Sequence, residues 1–428
     1  MSLPRTTTPT DTVLHALALA LLALAFVTGG SSMDRGWGDV ATQLLALPVL
    51  CLAVAVLLRP PVPRAHWVLM AIAALGPAVV GLQLAMGTTV TPWASERALY
   101  AWLPPVAAFL AGLALPPRAQ RNGLRLIVAL VTASLLLAYL QLAAPQDSVF
   151  NPFPDLVPMF NGLFANPNHQ GTALAIGAVL LLSGAVEDPE ARCHASEGRR
   201  KAFKIGRIGL AVLLLMGIPF TGSRGMVLIA AAALMALPLA NGWLASQWRR
   251  PGGRPRVLGI GVAGVAAAAL VAAVTLGWMR VDRLEGGARS TLAASTTEMA
   301  IDAMPMGAGA GSFVPWFDAH IPDALLQYVY YNHAHDEYVQ WWLEGGIAGL
   351  VWIVLLLFGF VWARPRRGHD GQRPAGAWVG SWLGVGILLA HSVVDYPMRT
   401  PALATAGAWM AAVILTAVLK LRGGGSHV

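Results

Sequence analysis

The sequence predicts an all-α polytopic integral membrane protein of about 12 transmembrane helices, both termini cytoplasmic, with one large outer loop between spans nine and ten. Three observations predict it. Hydrophobic residues make up 56% of the 428 positions and charged residues only 12%, with a mean hydropathy of +0.61. A soluble chain must cover its outside with more polar residues than that. Unbroken apolar runs recur along the chain, and Lys and Arg fall into every second connection between them.

A hydrocarbon core of ~30 Å needs roughly 20 apolar residues in a helix. Such stretches lie near 12–29, 39–58, 67–86, 98–115, 124–143, 170–186, 205–220, 225–246, 257–279, 339–362, 376–391 and 401–419. Lipid admits only helices or closed barrels, and unbroken apolar runs exclude a barrel. The first run, Thr12 to Gly29, ends without a cleavage site and reads as a span rather than a removable signal. The organisation expected is a nine-helix region over 1–279, a loop domain over 280–337, three helices over 338–422, and a tail of appended character over 423–428.

Orientation follows from charge. One alternating set of segments holds Arg5, then Arg59 and Arg64, then Arg118, Arg121 and Arg125, then the six basic residues from Arg192 to Arg207. It continues with four arginines over 249–256, four over 364–373, and finally Lys420 and Arg422, for 22 of the 29 basic residues. The positive-inside rule puts this set, and both termini, in the cytoplasm. Seven arginines then face outward: Arg35, Arg97, Arg224, Arg280, Arg283, Arg289 and Arg399. A net charge of +8 in a soluble protein would suggest nucleic acid; here the sorting of charge among loops accounts for it, and no nucleic-acid partner is expected. Cys51 and Cys193 offer neither a disulfide framework nor zinc spacing.

Four constellations converge on the outer side: Asn166-Pro167-Asn168-His169, Gly222-Ser223-Arg224-Gly225, His333-Ala334-His335-Asp336-Glu337-Tyr338, and His391 to Arg399. Helix midsections are almost free of ionisable groups, which favours chemistry at the membrane surface over transport through it. Each motif has a plainer alternative. Gly222–Gly225 fits a tight turn with Arg224 reaching lipid phosphates, Asn166–His169 an Asx turn capping the sixth span, and His391 an interfacial histidine. The glycines of Pro305-Met306-Gly307-Ala308-Gly309-Ala310-Gly311 resemble a phosphate nest but equally fit turns. No metal site is expected, because one short loop supplies too few ligands.

The residues suit transfer to a hydroxyl. A base near neutral pKa accelerates attack by a weak hydroxyl nucleophile ~10² to 10⁴-fold, and histidine, with an unperturbed pKa of ~6.5, supplies one. His335 is the candidate, the alternative being a structural histidine under Tyr338 and Trp342. Developing phosphate charge needs cations, and the planar fork of arginine provides them; Arg224 is placed at a span end where a headgroup would lie.

The chain resembles the O-antigen ligase and polymerase superfamily of bacterial membrane glycosyltransferases. The resemblance rests on His335-Asp336-Glu337-Tyr338-Val339-Gln340 leading to Glu344-Gly345-Gly346, on Ser223-Arg224-Gly225 between spans seven and eight, and on the large loop with Arg289 near its start. Asp336 stands where the family usually has Asn. The resemblance implies a multi-pass protein of the Gram-negative inner membrane with its active site facing the periplasm. It implies glycan transfer from undecaprenyl pyrophosphate to a lipid A–core sugar, with no cofactor and with inversion. It pairs Arg289 with Arg224 on the pyrophosphate, and leaves Arg399, His169, Asn168, His333, Tyr338 and His391 as further candidates. Polymerisation of lipid-linked glycans or transfer to protein hydroxyls are alternatives within the superfamily; a lipid-linked glycan transporter is the alternative outside it.

Overall fold

The computed structural model describes residues 8–32, 36–60, 64–145, 147–153, 160–241, 284–321, 331–368, 372 and 374–423, without the side chains of 284–290 and 422–423. Among these residues every regular element is helical. Helices α1 (Pro9–Thr28), α2 (Trp37–Leu57) and α3 (Arg64–Met86) are followed by α4 (Pro92–Ala101) and α5 (Leu103–Ala114), then α6 (Pro117–Ala143) and α7 (Pro167–Ser183). Next come the short α8 (Pro189–His194), α9 (Glu197–Phe220), α10 (Arg224–Ala240), α11 (Leu284–Asp302) and α12 (Phe313–His320). The chain ends with α13 (Glu337–Trp362), α14 (Gly376–His391), a 3₁₀ turn at Pro397–Arg399, and α15 (Pro401–Gly423).

Eight helical segments are long and apolar enough to cross a membrane, with α4 and α5 together forming one of them. The expected spans over 170–186, 225–246 and 376–391 coincide with shorter helices of 17, 17 and 16 residues. The span expected at 257–279 lies outside the described residues. Helix starts follow local chemistry. Thr8 and Asp11 form a reciprocal capping box on α1, and Asn166, Asp188, Ser196 and Asp336 accept backbone N–H groups at the starts of α7, α8, α9 and α13.

Two features position the site. Helix α7 is surrounded by α6, α9, α10 and α14, and its residues from His169 to Leu181 are all buried. A helix touching protein on every side needs no lipid-facing apolar surface, so α7 can carry His169, Gln170 and Thr172. The second feature is a break in α13, which the apolar run does not announce. Gly346 adopts φ 56° and ψ −140°, dividing the helix. The glycine-rich turn after α11 docks into the break. Ala308 N–H donates to Leu343 O (2.8 Å), Gly309 N–H to Glu344 O (3.0 Å) and Ile347 N–H to Pro305 O (3.0 Å). Buried Gln83 of α3 ties the joint, donating to Met306 O and Glu344 O, both at 2.8 Å. The amides of Gly307, Ala308, Gly309 and Ala310 are thereby all spent on protein acceptors, so the turn is a packing device and not the phosphate nest its glycines suggest.

Charge segregates between the two ends of the bundle. Arg59, Arg121, Arg192, Arg207 and Lys201 cluster at one end, pairing with Asp11, Asp188, Glu187, Glu187 and Glu197. The opposite end gathers the starts of α7, α10 and α13, the end of α14 and the loop to α15.

Candidate active site

At that end three histidines surround one carboxylate. The residues from Ser392 to Thr400 link α14 to α15 and place Asp395, fully buried, beneath the start of α7. Its Oδ1 lies 3.8 Å from His169 Nε2 and 3.4 Å from His335 Nδ1; its Oδ2 lies 3.8 Å from His391 Nε2. Asn168 Nδ2 donates to Oδ2 at 2.7 Å, Asn166 Nδ2 at 3.4 Å, and Tyr396 N–H to Oδ1 at 2.9 Å. Burial alone would push the Asp395 carboxyl up. The N–H groups of His169 and His335 that face it, with the charges of His169 and His391, hold it well below the usual carboxylate range. The Tyr396 ring lies at the centre, edge-to-face with His169 (5.0 Å) and His335 (4.9 Å) and tilted against His333 (4.1 Å).

The histidines differ in access. The side chains of His169 and His391 are 1% and 2% exposed, whereas that of His335 is 23% exposed. His335 is also the one non-glycine with positive φ (53°) among the described residues. Such backbone is costly outside glycine and concentrates at functional sites. What holds it is the cap immediately after: Asp336 Oδ1 accepts from Tyr338 and Val339 N–H at 3.0 and 3.1 Å, and Glu337 N–H donates to Ser392 O at 2.8 Å. Burial pushes the Asp336 carboxyl up, against these two bonds. Asp336, where the family usually has Asn, thus serves as helix cap. Tyr338 OH donates to Leu389 O at 2.7 Å, tying α13 to α14.

A second charged group lies alongside. Glu337 and Glu344, seven residues apart, share a helix face. Between them sits Arg399, with Nε 3.1 Å from Glu337 Oε1 and Nη2 2.9 Å from Glu344 Oε2. Burial would lower the Arg399 pKa; the two carboxylates hold it above its ordinary value. One guanidinium so shared is committed to protein, which separates Arg399 from the cations available to a ligand. Gln340 extends this network with a fixed polarity. Its Oε1 accepts from Ala334 N–H (3.1 Å), so its Nε2 donates to Glu344 Oε1 (3.0 Å) and to His333 Nδ1 (3.2 Å). His333 therefore keeps its proton on Nε2. Burial, then the positive charges of Arg399, His335 and His169, push its pKa well below the ordinary histidine value, with Asp395 opposing.

His391 Nδ1 pairs with Thr172 Oγ1 at 2.7 Å. Arg224 opens α10, half-buried and without an ion pair among the described residues. Its neighbour Gly225 packs against Val394, next to Asp395: a Cβ at Gly225 would stand 3.5 Å from Val394 Cγ2. Arg289 lies in α11, which packs on α13, but its side chain is outside the described residues. No group of three or more His, Cys, Asp or Glu among the described residues has the spacing to hold a metal ion.

Sequence reading singled out His335, His333, His169, Asn168, His391, Tyr338, Arg224 and Arg399, and the structure brings these to one end of the bundle. The same motifs contain Asp395, Glu337, Glu344, Gln340 and Tyr396, which were not among the candidate site residues. Asp395 was detectable as the i+4 partner of His391, and the glutamates as an i, i+7 pair.

Fold and site together fit a polytopic helical membrane protein with a buried His–carboxylate cluster at one end of the bundle. Residues 209–354, from within α9 to within α13, match the family model described as O-Antigen ligase. That segment is similar to the O-antigen ligase family and contains the motifs around Arg224 and His335. No curated protein matches the chain.

Proposed function

We propose that the chain is an O-antigen ligase-type glycosyltransferase. It transfers a glycan from undecaprenyl pyrophosphate to a sugar hydroxyl of lipid A–core at the periplasmic face of the inner membrane. The observation that carries this reading is the Asp395–His335 pair inside a chain matching the ligase family. A carboxylate only accepts, so the tautomer of His335 that suits Asp395, 3.4 Å from Nδ1, carries its proton on Nδ1 and leaves the Nε2 lone pair for a substrate. This is the orientation a general base requires.

In the proposed step the acceptor hydroxyl attacks the anomeric carbon and its proton passes to His335 Nε2. The new glycosidic C–O bond forms on the face opposite the departing group, which inverts configuration. The C–O bond to pyrophosphate breaks, and its electron pair leaves on the phosphate oxygen. Arg224 supports this role as a guanidinium at the same end as His335 with no protein partner among the described residues. Arg289, from α11, is its proposed partner on the pyrophosphate. His333, whose Nδ1 accepts from Gln340, presents a fixed Nε2–H donor at the same end of the bundle. His169, Asn168 and His391 act through Asp395 as positioning groups.

The test is reconstitution of the purified full chain with a polyprenyl-pyrophosphate oligosaccharide and O-antigen-free lipopolysaccharide, without nucleotide or ion gradient. Expected is an elongated lipopolysaccharide with inverted linkage, and a loss of at least tenfold for Arg224→Lys, which keeps charge but not the bidentate fork. Elongation of the lipid-linked donor instead of the lipopolysaccharide would replace this reading with polymerisation. A requirement for an energy source would replace it with transport.

A further inference from the structure

At the bundle end opposite the histidines, α7 and α9 part around a cavity of ≈ 480 Å³ lined by Leu181, Val186, Phe203 and Leu210 together with Arg199 and Arg207. Two arginines in an apolar recess call for an anion. Arg207 is the more informative. Its side chain is 11% exposed and its Nη2 lies 3.2 Å from Glu187 Oε1, yet Nε and Nη1 are buried with no hydrogen-bond partner among the described residues. Leaving such donors unmade is costly, so the site is one hydrogen-bond acceptor short. Glu187 is already shared, its Oε2 accepting from Arg192 at 3.2 Å. Glu197 pairs with Lys201 at 2.7 Å, and Arg199, Arg200 and Lys204 add further positive charge.

The lining identifies the anion's class. A free inorganic ion has no use for Leu181, Phe203 and Leu210, whereas a lipid uses both halves of the recess. The site lies at headgroup depth, where α9 changes from basic residues over 199–207 to apolar ones over 208–218. Phe203 and Ile205 project outward, 56% and 70% exposed, as residues facing acyl chains do.

We propose that this cavity binds one anionic glycerophospholipid, its phosphodiester on Arg199 and Arg207 and an acyl chain along Leu181, Phe203 and Leu210. Charge complementarity selects an anionic headgroup over a zwitterionic one. The inference is independent of the transfer reaction, because no residue of the histidine site takes part.

Native mass spectrometry of the full chain in detergent, titrated with phosphatidylglycerol, phosphatidylcholine or inorganic phosphate, tests it. Expected is one phosphatidylglycerol adduct held at least tenfold more tightly than phosphatidylcholine and not displaced by millimolar inorganic phosphate. Two arginines at the membrane surface predict an affinity about thirtyfold lower in Arg199→Gln/Arg207→Gln. Should loss of the Glu187 pair prevent folding of that variant, Arg199→Gln alone is expected to weaken binding about fivefold, and Phe203→Ala to weaken it without changing headgroup preference. Equal binding of the two lipids, unchanged affinity in Arg199→Gln, or displacement by inorganic phosphate alone would each overturn the proposal.

Discussion

The two ends of the bundle use arginine in opposite ways. At the basic end the charges are numerous and several are exposed, the Lys201–Glu197 pair at 71% and 76% and Arg192 at 68%, beside the more buried Arg121 and Arg207. At the site end they are few and buried: Arg399 is 16% exposed between glutamates 5% and 1% exposed, and the Asp395 side chain is 1% exposed. Exposed charge sets orientation in the bilayer and tolerates loss, whereas buried charge is held only by its partners. The first kind is replaceable residue by residue; the second is not.

The sharpest contrast is between two arginines. Arg399→Met leaves Glu337 and Glu344 buried without a cation and is expected to cost about 3–5 kcal/mol, read as a fall in thermal midpoint in detergent. Arg200→Gln at the basic end is expected to stay within about 0.5 kcal/mol. Equal losses would erase the distinction. The break in α13 ranks next. Gly346→Ala puts a Cβ within 2.2 Å of Pro305 O at a positive φ, so we expect at least ~2 kcal/mol of destabilisation and displacement of the 305–311 turn.

The pH dependence of stability follows from His333. Its folded pKa lies below its unfolded value, so the unfolded chain takes up a proton that the folded chain refuses. Stability contributed this way is complete above ~6.5 and falls as pH drops, by up to ~1.4 kcal/mol per unit. Melting between pH 7.5 and 5.5 should show this slope, and His333→Gln should flatten it; an unchanged slope contradicts the assignment. Asp395 has a depressed carboxyl pKa and contributes in the same direction, but only below the ordinary carboxylate range near pH 4. At the site end the smallest effect is that of Thr172→Val, which removes the partner of His391 Nδ1 for ~1 kcal/mol.

Helix positions were legible because a bilayer demands long apolar runs, and alternate basic loops were legible because charge sorting is a property of the linear sequence. Gly346 was not, since an apolar stretch reads the same whether its helix is continuous or broken; only the docking turn at 305–311 reveals the break. Asp395 was missed for a different reason. Its i+4 spacing from His391 was visible, but its importance comes from the meeting of segments near 166–169, 333–335 and 391–396, which that spacing does not record. Glu337 and Glu344 were readable as a face of α13, yet their purpose needed Arg399 from 55 residues further along.

In the proposed reaction His335, oriented by Asp395, takes the acceptor's proton. The most direct test is steady-state transfer by purified His335→Gln and Asp395→Asn proteins beside the parent chain, with binding of lipid-pyrophosphate donor measured in parallel. The account predicts that His335→Gln lowers kcat by about 10² to 10⁴-fold with donor affinity unchanged. Asp395→Asn should lower kcat with little change in KM. A correctly inserted His335→Gln protein that transfers glycan at the parent rate would contradict it.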